Sequence, residues 1–367
     1  MAILQRVHDG MKRQRPTLDH LKESRRPVII FGAGAYAYLL YRYLAASSVT
    51  VAGIMVDSAY KTADKFMGLK VSTIEESMHS VPDYEIAVGI PNYPPIVEKL
   101  LKLGASGIHV LDVPDFLNIP DSFMEIEFIR EHHELFDEAY GLFEDELSRR
   151  TYVATLNTKV NEDLKYIKPY VRMDHLYFST TEFPLSADEI LLDVGGYTGD
   201  SIRDFYDITK GRYRRIISLE PFETSFEELQ QNINALGLSN VVALKIGAWD
   251  KRATLSFATN EMNTDARPDD EGSCTIEVDT IDRILERLVS PVTLIKMSIN
   301  GAEYRAISGA RETIRRCRPK IAVKMNVKED FYRLPLLLKD IAPEIKLYLR
   351  QRNFMSMMLV LYGIFDS

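Results

Sequence analysis

The chain has 367 residues, 46% of them hydrophobic and 27% charged, with a formal net charge of -8. That length exceeds what a single ordinary core organises, so two domains are expected, and the composition excludes a disordered or fibrous chain. The acidic balance argues against general binding to nucleic acid, which needs cations to neutralise phosphates. Taken in chain order, residues 1–26 form an extension whose cations interrupt any apolar run of signal-peptide length. No later run is long enough to span a bilayer, so a cytoplasmic location is expected. Cys274 and Cys317 stand alone, outside any CxxC or Cys/His spacing, and no metal site is expected from them.

Residues 27–117 read as a small Rossmann-like domain. The segment from Arg26 to Asp57 is an apolar strand, a glycine turn, an apolar helix and a second strand ending in an acid. Glu85–Ile90 continues as a strand, Pro94–Leu103 as a helix closed by Gly104, and Ile108–Leu111 as a short last strand, giving a parallel sheet of about four strands. Gly32 and Gly34, followed by Asp57, form a candidate second nucleotide site, because a helix N-terminus after a glycine turn attracts phosphate and the acid can hold a ribose. Nucleotide-sugar binding and a purely structural role both fit this pattern. No Tyr-x-x-x-Lys pair follows the turn, which argues against hydride transfer.

Residues 118–185 repeat apolar positions at helical spacing among many carboxylates and read as a helical connector. His132 and His133 inside it point about 100° apart on a helix and cannot easily share a metal.

From residue 186 to 367 strands and helices alternate again, so a second doubly wound sheet is expected. Its last two strands follow each other without a helix, as an antiparallel hairpin at the sheet edge. The helix after Thr224 carries a Thr-x-x-Glu capping box and ends at Gly237. The strand LLDV opens into Asp193-Val194-Gly195-Gly196-Tyr197-Thr198-Gly199-Asp200, where the glycines let a ligand approach the backbone. The next strand ends in Glu220-Pro221, an acid able to accept hydrogen bonds from both hydroxyls of a ribose. A third strand ends at Ala248-Trp249-Asp250, a small residue and the chain's one tryptophan, suited to flank adenine. The three strand ends together outline an adenosine-binding edge.

The segments ILLDVGGYTGDSIRDF, IISLEPFETSFEELQQNI, IGAWDKRATLSF, VDTIDRIL and IKMSINGAEYRAISGA lie in a stretch from about Leu156 to Ile364. That stretch, more than half the chain, resembles the FkbM family of S-adenosylmethionine-dependent methyltransferases. The resemblance implies a class I methyltransferase fold, S-adenosylmethionine as cofactor, and methyl transfer to a hydroxyl of a sugar or related glycan or secondary-metabolite acceptor. It places Asp193, Gly195, Gly196, Thr198, Gly199 and Asp200 in the cofactor loop, Glu220 and Pro221 at the ribose, and Ala248, Trp249 and Asp250 at the adenine. A second copy of the chain, as a homo-oligomer, is the other partner left open.

Two departures from the family pattern bear on catalysis. The family usually carries Lys-Met-Asp-Ile-Glu-Gly-Ala-Glu where this chain has Lys296-Met297-Ser298-Ile299-Asn300-Gly301-Ala302-Glu303, and Met325 and Asn326 stand where an aromatic residue and a histidine are common. Ser298 and Asn300 therefore occupy the catalytic positions without being useful general bases, and His175, beside Asp174, is the substitute base the sequence offers. Losing the carboxylates also removes metal ligands. The alternative reading is a catalytically degenerate cofactor- or nucleotide-sugar-binding protein with a regulatory or scaffolding role.

Overall fold

The computed structural model describes residues 2–7, 16–80, 83–111, 124–161, 164–178, 181–258, 267–268, 274–325 and 327–366. The chain divides into two compact units. Unit 1 holds residues 1–131, 153–171 and 353–357, and unit 2 holds 132–152, 172–352 and 358–367. The stretch 118–185 is thus not a body of its own but is shared between the two.

Unit 1 runs α1 (Pro16–Glu23), β1 (Val28–Phe31), α2 (Ala35–Ala46), β2 (Val51–Val56), β3 (Lys65–Phe66), β4 (Leu69–Thr73), α3 (Ile74–Ser80), β5 (Glu85–Val88), α4 (Pro94–Lys102), β6 (Gly107–His109) and α5 (Ile126–Glu131). The sheet has six strands in the order β3-β4-β2-β1-β5-β6, rather than the four expected. The two extra strands form a hairpin too short and too exposed to show an apolar run; β3 is the antiparallel member. The strand VIIF is buried along its whole length, as a central parallel strand covered on both faces must be.

The first residue of β5, Glu85, is wholly buried. Its carboxylate accepts from His109 Nε2 at 2.6 Å, Arg26 Nε at 2.7 Å, Ser24 Oγ at 2.9 Å and His20 Nε2 at 3.1 Å. Burial pushes this acid up, but the hydrogen bonds outweigh burial and hold it at about 2. Among the described residues His20, Glu85 and His109 form the single group with metal-ligand spacing. The Arg26 guanidinium, bound to the same carboxylate, makes it an ion-pair knot that a cation would have to displace.

Unit 2 begins with α6 (His133–Gly141); α7 (Glu146–Asn161) contributes its residues up to Tyr152. Then follow β7 (Ile190–Val194), α8 (Asp200–Thr209), β8 (Arg215–Leu219), α9 (Glu223–Ala235), β9 (Val241–Leu244), β10 (Gly247–Ala248), β11 (Ala253–Ala258), β12 (Arg267–Pro268), β13 (Cys274–Asp279) and α10 (Ile281–Leu288). The chain closes with β14 (Leu294–Met297), α11 (Glu303–Ser308), α12 (Arg311–Cys317), β15 (Lys320–Lys324), α13 (Asp330–Ile341), β16 (Lys346–Gln351) and β17 (Leu359–Ile364). The main sheet has seven strands in the order β16-β17-β15-β14-β7-β8-β9. Five are parallel, and β17 and β16 add the expected antiparallel hairpin at one edge.

A second sheet, β10-β13-β11-β12, was not expected from the sequence. The capping box also differs from expectation: α9 starts at Glu223 with Phe222 as its N-cap and no side-chain cap, so Thr224 lies inside the helix. The Glu220 carboxylate accepts the Phe222 amide hydrogen and turns the chain into the helix directly. Gly237 ends it as expected, at φ +61°, with Leu238 N donating to Ile233 O. Phe178, Leu191, Phe205, Ile216 and Leu229 form the apolar core that fixes β7 and β8 against α8 and α9. Among the described residues no helix is long and apolar enough to cross a membrane.

Candidate functional site

β7 is the middle of the five parallel strands: β8 and β9 lie on one side, and β14 and β15 on the other. Between β7 and β14 the winding reverses, so a crevice opens beyond their carboxyl ends. The chain leaves β7 through Gly195 (φ +83°), Tyr197 (φ +45°) and Gly199 (φ +92°) before entering α8. A Cβ on Gly195 would collide with the Ser298 carbonyl oxygen and sit 2.9 Å from Ile299 Cγ2, so this close approach of β7 and β14 requires glycine. Beneath the turn Asp193 is wholly buried. It accepts from Ser201 Oγ at 3.0 Å, Ser218 Oγ at 3.1 Å and Lys296 Nζ at 2.8 Å, and Lys296 also donates to the Gly195 carbonyl at 2.7 Å. This buried pair holds the turn in shape from below.

Glu220 is buried where β8 ends. Oε2 accepts from the Tyr197 amide at 2.8 Å and Oε1 from the Phe222 amide at 3.1 Å, which fixes the carboxylate while leaving each oxygen able to accept again. Burial raises this acid above the ordinary carboxylate range, against the pull of the two amides. Trp249 follows β10 and is tied by its amide to the Asp279 carbonyl at 2.9 Å. The Arg305 guanidinium lies 5.6 Å from the indole and binds Asp250 Oδ2 at 2.6 Å, while Asp250 Oδ1 is buried with no hydrogen-bond partner.

These elements enclose a cavity of about 310 Å³. One wall carries Gly195, Tyr197, Asp200, Glu220, Pro221, Ala248 and Trp249; the other carries Tyr177, Ser298, Ile299, Asn300 and Lys324. The predicted site residues are therefore largely brought together. Asp193, Gly196 and Asp250 are not among the lining residues, and Thr198 and Gly199 line a separate depression with Arg203, Asp204, Asp207 and Asn232. His175 is not among the lining residues; its Nδ1 pairs with Asp204 Oδ1 at 2.8 Å on the surface. Asn326 lies outside the described residues.

In unit 1, Gly32 (φ +120°) makes the sharp turn after β1, and Gly34 precedes α2. Asp57 is engaged by Lys99 Nζ at 2.6 Å, a bond that holds its carboxyl below the usual range.

Sequence reasoning missed Tyr177, which lines the cavity with Ser298, and Lys324, which closes β15. Tyr177 sits in the aromatic approach to β7, and Lys324 follows an apolar run that reads as a buried strand.

The methyltransferase FkbM domain family matches residues 193–355, a span that runs from the base of the glycine turn through both walls of the cavity. This part of the chain is an FkbM methyltransferase domain. The methyl donor of the domain is S-adenosylmethionine. Nearly the whole chain has the fold of the methyltransferase FkbM from Methylobacillus flagellatus, with a TM-score of 0.68 at 19% identity over 94% of this chain and 92% of that one. More distant structures include an rRNA methylase from Streptococcus thermophilus (TM-score 0.31, 11% identity, 50% of this chain and 90% of that one). Another is fibrillarin from Aeropyrum pernix with bound S-adenosyl-L-methionine (TM-score 0.34, 12% identity, 50% and 70%). No curated protein matches the sequence.

The cavity's groups suit the donor. A buried carboxylate with spare acceptor capacity and a half-buried indole meet a ribose and an adenine face in chemistry, and beyond the lining, next to Trp249 in the chain, Asp250 keeps a carboxylate oxygen without a partner.

Proposed function

We propose that the FkbM domain is an O-methyltransferase acting on a hydroxyl of a sugar or a related glycan or secondary-metabolite acceptor. The supporting observation is the makeup of the second wall: a hydroxyl (Ser298), an amide (Asn300) and an amine (Lys324) line it together, hydrogen-bonding groups suited to a polyol. Glu220 would hold the donor's ribose, Trp249 and Ala248 its adenine, Asp250 the adenine amine, and the turn around Gly195 its amino-acid end. Bound there, S-adenosylmethionine supplies an electrophilic methyl group on a positively charged sulfur. Ser298 and Asn300 hold the acceptor oxygen in place, and the enclosing walls keep competing water out. We place the protein in the cytoplasm, a reading its two free thiols, Cys274 and Cys317, fit.

Trp249 makes the first half directly measurable. As the chain's one tryptophan it reports on this cavity alone. Titration with S-adenosylmethionine or S-adenosylhomocysteine is expected to change its emission saturably, with matching heat by calorimetry. Absence of both signals sinks the reading. A screen of sugar hydroxyls, scored by S-adenosylhomocysteine formation, tests the second half.

A second reading rests on Ser298 and Asn300, neither of which takes a proton near neutral pH: the domain binds donor without turning over. Donor binding with no product from any acceptor would favour it.

A further inference from the structure

An alcohol attacks a methyl sulfonium fastest when something removes its proton, and Ser298 and Asn300 cannot. On the wall that carries Ser298 and Asn300, the amine of Lys324 can. Lys324 is the last residue of β15, one position beyond the paired residues Met297 and Val323, as Ser298 is one position beyond the end of the neighbouring β14. It is buried and faces the same cavity as Ser298 and Asn300. Among the described residues its ε-amino group makes no hydrogen bond and no ion pair.

The other ionisable groups nearby are committed elsewhere. Lys296 is bound to Asp193 and the Gly195 carbonyl. Glu220 is held by two backbone amides, and Glu303, wholly buried, by the amides of Ile299 and Gly301. Asp200 is exposed in the first turn of α8, at the donor loop, and His175 is on the surface with Asp204.

We propose that Lys324 is the general base of methyl transfer, a role that rests on the O-methyltransferase reading above. Its neutral amine takes the proton of the acceptor hydroxyl onto the nitrogen lone pair. The oxygen's electron pair forms the new O–C bond, the C–S bond breaks, and its pair remains on sulfur as a neutral thioether. Lys324 leaves as an ammonium and returns its proton to solvent. Burial, reinforced by Lys296, brings this amine down to about 8 against the opposing pull of Glu303 and Asp200, so a useful fraction is neutral under mild conditions.

The test has one arm that needs no acceptor and no donor. Competitive labelling of the wild-type protein with acetic anhydride across pH, read peptide by peptide by mass spectrometry, is expected to show Lys324 half-reactive at about 8. A Lys324 that titrates at the ordinary lysine value of about 10.4, or that never reacts, overturns the proposal.

The second arm uses an acceptor from the hydroxyl screen. Lys324→Met and Lys324→Gln are expected to lower turnover by about a hundredfold or more. They should leave the donor Kd read by Trp249 emission within about twofold, and the wild-type rate should rise through about pH 8 to a plateau. Unchanged turnover in both variants, or a rate flat across that range, overturns the base assignment. Failure of the wild type to bind donor would instead strike the function proposed above, and the labelling result would stand apart from it.

Discussion

Glu220 is the residue on which donor binding turns, and its environment gives binding a direction in pH. The ionised carboxylate can accept from both ribose hydroxyls while its two oxygens still hold the Tyr197 and Phe222 amides. Burial raises its proton affinity, so the neutral, poorly accepting form persists to higher pH than for an ordinary glutamate. Affinity for S-adenosylhomocysteine should therefore fall as pH drops through this raised value and be flat above it; calorimetry across pH checks this, and a pH-independent Kd would remove Glu220 from the ribose. Glu220→Gln should weaken binding by about 2 kcal/mol, roughly thirtyfold in Kd, the scale of hydrogen bonds to a charged group. This acid was legible in the sequence because it ends an apolar strand at a fixed distance past the glycine turn. Lys324 was not, because one cation after KIAV reads as a strand end, and what makes it chemical is the cavity that β14 and β7 shape beside it.

At the scale of elements, the approach of backbones decides which glycines matter. Gly195 combines a positive φ with the Ser298 carbonyl in the space a side chain would fill, and Gly309 is packed against the Trp249 carbonyl in the same way. Gly195→Ala should cost more than about 1 kcal/mol and abolish the Trp249 response to donor. Gly309→Ala should weaken that response by displacing Trp249 from its bond to Asp279. Gly34 has open space and an ordinary φ, so Gly34→Ala should leave thermal stability nearly unchanged; a large loss would show a constraint these contacts do not contain.

The same scale shows what the sequence exposes. VIIF, LLDV and the strands around them are continuous apolar runs because both faces are covered, and such runs can be read directly. The pair β3 and β4 and the small sheet built on β11 and β13 were missed because their residues alternate or stay half exposed, and their pairing is set by tertiary neighbours. The Thr224 box failed for a related reason: the Phe222 amide is already bound by Glu220, a contact between a strand end and a helix start that no local spacing encodes.

At the scale of the whole molecule, two of the polar centres among the described residues, the donor cavity in unit 2 and the Glu85 cluster in unit 1, have separate duties. The first gathers Glu220, Ser298, Asn300 and Lys324 around a cavity; in the second, Arg26, His20, His109 and Ser24 converge on Glu85 and satisfy it. Because the Glu85 carboxyl is held far below its ordinary 4.5, its contribution to stability is complete above that value and is lost as pH falls from there toward about 2. Glu85→Gln removes the anion beneath Arg26, His20 and His109 at every pH, at a cost on the order of 3 kcal/mol for breaking a buried pair. Hydrogen exchange is the suitable measurement, since it reads each unit by itself. The variant should exchange faster in β1, β5 and β6, and its acid sensitivity between about pH 5 and 3 should be weaker than the wild type's. S-adenosylhomocysteine at about a hundred times its Kd should instead slow exchange around residues 193–200 and 247–250, stabilising unit 2 by about 2.7 kcal/mol. The donor Kd of Glu85→Gln, read at Trp249, should stay within about twofold of wild type; a larger shift would mean that the Glu85 knot also tunes the methyl-donor site.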